Sequence, residues 1–581
     1  MFQMLESKKL QLDKERKREW ILLFVCILIV SVFFVLTVKV SPVANDKWNF
    51  LQYSLRFSFR EDWKLWLAGL VVAGVIVRVA YESVLRLSIT EKQQEEGTAV
   101  QKKIFRVSFL LILASWGCVF LLLFPGAAMN DTVYCMMSPV NSASVQPLVF
   151  ELVIYWWMHL VGKLAGSMAA YAVLTFAQLV FCAWAAAYAV AWLFGRNIKK
   201  SFCYMAAAAF AFSPIAADYA VTLVKDSCFA YFFLLLLLQT YDLLTQKNLA
   251  MDNRRMVRLT VLMILAALFR TNGKAVVYLL LLFLFVARKK DRKRTAVIFL
   301  AVFCMVRING AVVSHYHSQS AAFREASGVL TQQMAAVIAR DGEMSEEEAA
   351  FLDRLLPLDQ WKSCYTFDFE DPLKFNPAFD NTFLNEHKME FMKTWYSLVR
   401  KNFGICRDAY LFHTYQMWNT ASISRVCLDY SQSVFTSINN NAPGDDRCMG
   451  YLESIGLRND SVFPEMFTDA GKDTFVKACE LNLLLNPGWM VLVLLMGSCF
   501  LLARRCFQEL CFLAPQLVMW LIFMAASPAG GPFRYHFYLL VCLPVSILLT
   551  WKAVSDSRPD RSAAKKSVSD GLSADFRRGG R

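Results

Sequence analysis

The 581-residue chain is 57% hydrophobic, 14% aromatic and only 19% charged, with a mean hydropathy of +0.39. Water-soluble domains run nearer half apolar and a quarter charged, so a soluble enzyme or binding module is excluded. The formal charge of +14 is spread as basic clusters through short loops, which argues against nucleic acid and for anionic lipid and topogenesis.

Apolar runs matched to a bilayer core of about 30 Å recur along the chain. They predict an all-α polytopic membrane protein of about twelve spans: 20–39, 64–82, 104–124, 168–194, 202–217, 226–244, 258–270, 274–288, 295–309, 487–503, 508–526 and 536–552. The first has a basic start, but its apolar core is too long for a signal peptide and no small-residue cleavage site follows Val40. It is expected to stay as an anchor. Residues 148–163 are apolar too, yet the run is short and carries Glu151 and His159, which predicts a helix lying on the membrane surface.

Lysines and arginines in short loops set orientation. Lys8 to Arg18, Arg196 to Lys200, Lys247 to Arg258, Arg288 to Arg294, Arg504-Arg505 and the tail from Lys552 to Arg581 all fall on one side of a twelve-span chain. The N-terminus (1–19) and tail (553–581) are therefore expected in the cytoplasm. The spanning region 20–310, with an outer loop at 125–167, precedes a soluble domain at 311–485, expected outside the cell membrane. The last spans occupy 486–552.

The third run ends in Phe124-Pro-Gly-Ala-Ala-Met-Asn-Asp131, which puts a carboxylate just past the end of a span. Asn130-Asp131-Thr132 is also good N-cap material, so helix cap and catalytic acid are equal readings of Asp131 from local sequence. Asp218, Lys225, Asp226, Arg270, Lys274, Arg534 and His536 fall at other outward span ends. Singly, each reads as a residue snorkelling to headgroups. Lys225-Asp226 reads as a self-contained ion pair, and Arg270-Thr-Asn272-Gly-Lys274 as a tight hairpin turning at Gly273. Together, four cations (Lys225, Arg270, Lys274, Arg534) beside an isolated acid suit a phosphate held by cations while a carboxylate takes a proton from a hydroxyl. Gly530-Gly-Pro-Phe-Arg534-Tyr535-His536 opens the last span, with its aromatics expected in the interfacial belt. With no second acid beside Asp131, neither a divalent metal nor another cofactor is expected.

Residues 311–485 hold 15 Lys+Arg against 24 Asp+Glu, a net of −9. Ser345 with Glu348 predicts a capping box opening a helix at 346–356, striped by Phe351, Leu352, Leu355 and Leu356. The segment 383–420, rich in aromatics such as Phe391, Trp395 and Tyr396, reads as helical. A region of this size can bury its own core, as a mostly helical domain. Its cysteines, Cys364, Cys406, Cys427, Cys448 and Cys479, leave pairing open, and no His/Cys spacing fits zinc.

The order of Pro125-Gly126-x4-Asp131, Gln146-Pro147-Leu148, Val224-Lys225-Asp226, Phe269-Arg-Thr-Asn-Gly273 and Phe533-Arg-Tyr535 resembles a family of bacterial multipass proteins near the GT-C glycosyltransferases, such as protein mannosyltransferases and lipid A aminoarabinose transferases. The resemblance covers about 104–552. It implies that Asp131 is the loop carboxylate serving as base, and that Lys225, Arg270 and Arg534 bind the donor phosphate. The implied donor is a polyprenyl-phosphate sugar and the acceptor a cell-envelope glycan, lipid or protein. Gln146-Pro147 stands where relatives often have His-Pro, and the two leading spans are additional. A polysaccharide polymerase or ligase, and a lipid-linked sugar transporter or flippase, remain alternative readings.

Overall fold

Each apolar run expected to span becomes helix in the computed structural model, which describes residues 2–40, 59–91, 97–138, 147–246, 248–316, 322–367, 370–421, 446–480, 486–526 and 533–557. Gln146, Cys427, Gly530 to Pro532 and the tail arginines lie outside the described residues. The first half contains α1 (Phe2–Lys39), α2 (Phe59–Arg86), α3 (Gly97–Leu122), α4 (Asn130–Met137), α5 (Leu148–Ala165), α6 (Ser167–Phe194), α7 (Lys200–Ala211), α8 (Pro214–Val221) and α9 (Lys225–Thr245). Next come α10 (Asn253–Phe269), α11 (Gly273–Ala287) and α12 (Arg292–Tyr316). Among the described residues, eight helices are long and apolar enough to cross a membrane, or nine if α7 and α8, bent by 57°, form one span. The protein is thus an all-α polytopic membrane protein.

The run at 148–163 forms α5, an 18-residue helix long and apolar enough to cross a membrane, with Glu151 fully buried while Val153, Trp156, Leu160 and Leu164 are exposed. The run at 202–217 is broken at Ser213, whose side chain caps α8 by accepting from the Ala216 N–H, with Pro214 opening the new helix.

The inserted region folds as α13 (Ala322–Ala326), α14 (Gly328–Ala339), α15 (Glu346–Leu355), α16 (Leu358–Cys364), α17 (Asp371–Lys374), α18 (Asn381–Glu386), α19 (Lys388–Lys401), α20 (Phe403–Trp418), α21 (Asp446–Ser454) and α22 (Glu465–Glu480). The Ser345/Glu348 capping box is present in both directions, and Phe351, Leu352, Leu355 and Leu356 are buried. They join Met334, Trp361, Phe391 and Leu398 in a core separate from that of the spanning helices. The later part leans on the bundle: Tyr451 donates to Met136 O at 3.0 Å, and Trp520 donates to Met417 O at 3.0 Å.

The chain closes with α23 (Pro487–Ala503), α24 (Leu510–Ala526) and α25 (Phe533–Asp556). Helix α9 packs against α10 and α25, α3 against α6 and α7, and α1 against α2 and α23. At one end of the bundle Arg18 donates to Leu502 O and Ala503 O, and Arg504 pairs with Glu19. At the opposite end Asn419 Nδ2 donates to Val40 O at 2.6 Å. The Asp460 N–H meets Phe124 O at 2.7 Å at the end of α3, which brings the inserted region to the end bearing Asp131.

Candidate functional site

A short parallel pairing builds the site. Strands β1 (Ala127–Ala128) and β2 (Thr222–Leu223) align Ala127 with Thr222 and Ala128 with Leu223, so the residues after each strand, Asp131 and Lys225, are carried to one place. Helix α6 supports both strands. Tyr171 donates to Ala127 O at 2.8 Å, and Gln178 Nε2 donates to Thr222 O at 2.7 Å and to Ala220 O at 3.2 Å. The Thr132 hydroxyl donates to Leu223 O. Gly126 is required here: at φ +119 it holds a conformation L side chains rarely adopt, and a Cβ would lie 2.5 Å from Thr175 Cγ2 and 2.9 Å from Val221 O.

Asp131 is not a helix cap. Met129 occupies the N-cap of α4, and Asp131 sits in the first turn. Its Oδ2 instead accepts from Arg534 Nη1 at 2.9 Å and lies 3.8 Å from Lys225 Nζ. Nor is the acid isolated, as the pattern of single residues implies. Lys225 does not pair with its neighbour Asp226, because successive residues on a helix point about 100° apart. Asp226 turns inward to Arg270, and that buried pair leaves the side chains 1% and 8% exposed. The charges of Asp131, Asp226, Arg534 and Arg270 all act on Lys225.

Arg270 is fixed from both sides. Beyond Asp226, its guanidinium lies 4.7 Å from the Tyr535 ring centroid and 4.9 Å from that of Phe523; Tyr535 and Phe523 stack at 5.5 Å. This geometry suits an anchored cation and leaves little of the guanidinium for a ligand. His536 is fully buried, its ring 5.5 Å from Phe523. Asn272 sits at the N-cap of α11 without a side-chain cap bond, and Lys274 follows, half-buried and outside both ion pairs. Gly273 permits the hairpin: a Cβ there would lie 2.3 Å from Ala266 O.

Helices α4, α9 and α11 all begin at these residues, and none has a side-chain cap bond. Uncapped N-termini present N–H donors and partial positive charge, which adds to the cations in favouring an anion. Sequence reasoning passes over Tyr171, Gln178 and Phe523 and reads Thr132 only as N-cap material, although a lone Gln178 in the apolar α6 is a legible signal. Among the described residues, no three His, Cys, Asp or Glu side chains gather as metal ligands.

Residues 143–565 match the model of a protein family described as a family of unknown function, DUF6020. The match includes Lys225, Asp226, Arg270, Asn272, Lys274, Arg534, Tyr535 and His536, and starts after Asp131. No curated protein and no solved structure matches the chain.

Proposed function

The chain belongs to the DUF6020 family, and we propose that it is a GT-C-like membrane glycosyltransferase moving a sugar from a polyprenyl-phosphate donor to a cell-envelope acceptor on the outer face. The observation that carries this reading is the partly open Asp131 carboxylate, 2.9 Å from Arg534 and 3.8 Å from Lys225, beside uncapped helix N-termini. In this reading both termini are cytoplasmic and the inserted domain is outside.

The donor phosphate competes with Asp131 for Lys225 and Arg534, because all three are anion–cation contacts of the same kind. Phosphate binding therefore loosens the carboxylate and raises its basicity at the moment the donor is in place. Asp131 then takes the proton of the acceptor hydroxyl, whose oxygen attacks the anomeric carbon. The bond from that carbon to the phosphate oxygen breaks, and the electron pair leaves with the lipid phosphate, held by Lys225 and Arg534. A single displacement of this kind inverts the anomeric centre. Arg270 acts by holding Asp226 and Tyr535 in place and has no direct role on the donor, which narrows the phosphate ligands to Lys225, Arg534 and, through the adjacent hairpin, Lys274.

Transfer of labelled sugar from polyprenyl phosphate in proteoliposomes tests this. The wild-type protein is expected to form a covalent product, and Asp131→Asn protein of normal yield is expected to form almost none. Equal rates for the two would remove Asp131 from the mechanism. Consumption of a diphosphate-linked oligosaccharide alone would assign the site to a polymerase or ligase. The 57° break between α7 and α8 favours a second reading, a transporter of lipid-linked sugar, since broken helices are common in transporters. That reading requires movement of the intact labelled lipid without any covalent product.

A further inference from the structure

The segment leading into and opening α22 carries large apolar side chains that face away from the protein. Val462, Phe463, Met466 and Phe467 are 60%, 38%, 76% and 59% exposed. The segment is nonetheless held firmly. Asp460 N–H and Val462 N–H donate to Phe124 O at 2.7 Å and Leu121 O at 3.0 Å, and Asn459 Nδ2 donates to Leu123 O at 2.8 Å. Leu121 lies in the last turn of α3, whose C=O groups have no partner within the helix, and Leu123 and Phe124 follow directly after it. Thr468 Oγ1 donates back to Phe463 O at 3.1 Å, and Gly471 packs on Leu122.

Contiguous exposed apolar surface on a soluble face is costly and marks an interaction site. Here it continues the outward apolar surface of a spanning helix, since Leu110 and Leu121 of α3 are also exposed. The end of α3 is where hydrocarbon gives way to headgroups, the depth that suits aromatic and apolar side chains. Local charges are Arg458, Asp460, Glu465 and Asp469, a net acidic set, so attraction to anionic headgroups is not what holds the segment.

We infer that residues 462–467 insert into the membrane interface beside the Asp131 loop, with bilayer lipid as their occupant. The segment then fixes the bilayer surface against the end of α3, seven residues before Asp131 counted from Phe124. This inference stands independently of any chemistry at Asp131.

The test uses the full chain reconstituted in phosphatidylcholine nanodiscs, with a photoreactive benzoylphenylalanine at position 466 or 467 and a control at exposed Glu347. Mass spectrometry after illumination is expected to show at least about fivefold more lipid adduct at 466 and 467 than at 347, undiminished in about 1 M salt, where exposed charges are screened. Adduct at 466 and 467 no greater than at 347 would overturn the inference. So would adduct that disappears in salt, because the contact would then be electrostatic. Sugar transfer is not read in this experiment, so its outcome and that of the Asp131→Asn assay are separable.

Discussion

Arg534 Nη1 lies 2.9 Å from Asp131 Oδ2, a contact between residues 403 positions apart. It joins the first turn of α25 to the first turn of α4. The carboxylate therefore rests against the cation proposed to take the donor phosphate, so that base and anion site are coupled.

Replacing Asp131 with Asn keeps the shape and removes the proton acceptor. Loss of a positioned general base costs about 10²–10⁴-fold in rate, and the fall is expected in kcat with thermal stability unchanged. Arg534→Lys keeps the charge but not the planar fork, and is expected to raise the donor KM more than it lowers kcat. Steady-state transfer kinetics on purified protein check both.

The Asp226–Arg270 pair is a structural element. Arg270→Met leaves Asp226 as a buried charge without its cation, a change worth about 3–5 kcal/mol of stability. The double variant Asp226→Leu with Arg270→Met is expected to regain most of the loss, since an apolar pair of similar volume often serves as well. Thermal unfolding in detergent reads both. A single variant as stable as wild type would show that the pair carries no structural load.

Gly126→Ala is expected to destabilise by more than about 1 kcal/mol, since it adds a Cβ at positive φ and drives it into Thr175 and Val221. Transfer should fall with it, because β1 carries Asp131. Gly162→Ala is the control: its Cβ would meet nothing closer than 3.9 Å, and both melting temperature and transfer should hold.

Glu370 supplies a pH dependence in the inserted domain. Burial pushes its carboxyl up to about 8, against the pull of Lys374, whereas an unfolded Glu titrates near about 4.3. Between those values the folded state binds more protons than the unfolded one, so stability falls as pH rises, by up to about 1.4 kcal/mol per pH unit. Glu370→Gln should flatten the melting temperature between about pH 5 and 8. Glu348 works in the opposite sense. Burial raises it, but hydrogen bonds from Lys401, Ser397 and the Ser345 backbone bring it to about 2. Its contribution is complete above the unfolded value and is lost only in more acidic solution.

Much of the fold was legible because hydropathy and capping are local. The runs at 168–194 and 536–552 are helices, and Ser345 with Glu348 closes the capping box. At 148–163 hydropathy counts Glu151 as polar, and only the packing shows that it faces inward. The site was half legible: Asp131, Lys225 and Arg534 do converge, but Asp131 read as a cap or an isolated acid. Asp226 read as the partner of Lys225, and Lys274 stands apart from both pairs.

From the sequence alone, then, came the membrane class, the helices and the set of charged residues at span ends, because each depends on a stretch no longer than one helix. Which cation meets which carboxylate was decided by the tertiary structure. The β1–β2 register and the meeting of α4, α9 and α25 bring together residues hundreds of positions apart, and the strength of an ion pair depends on that distance and its burial.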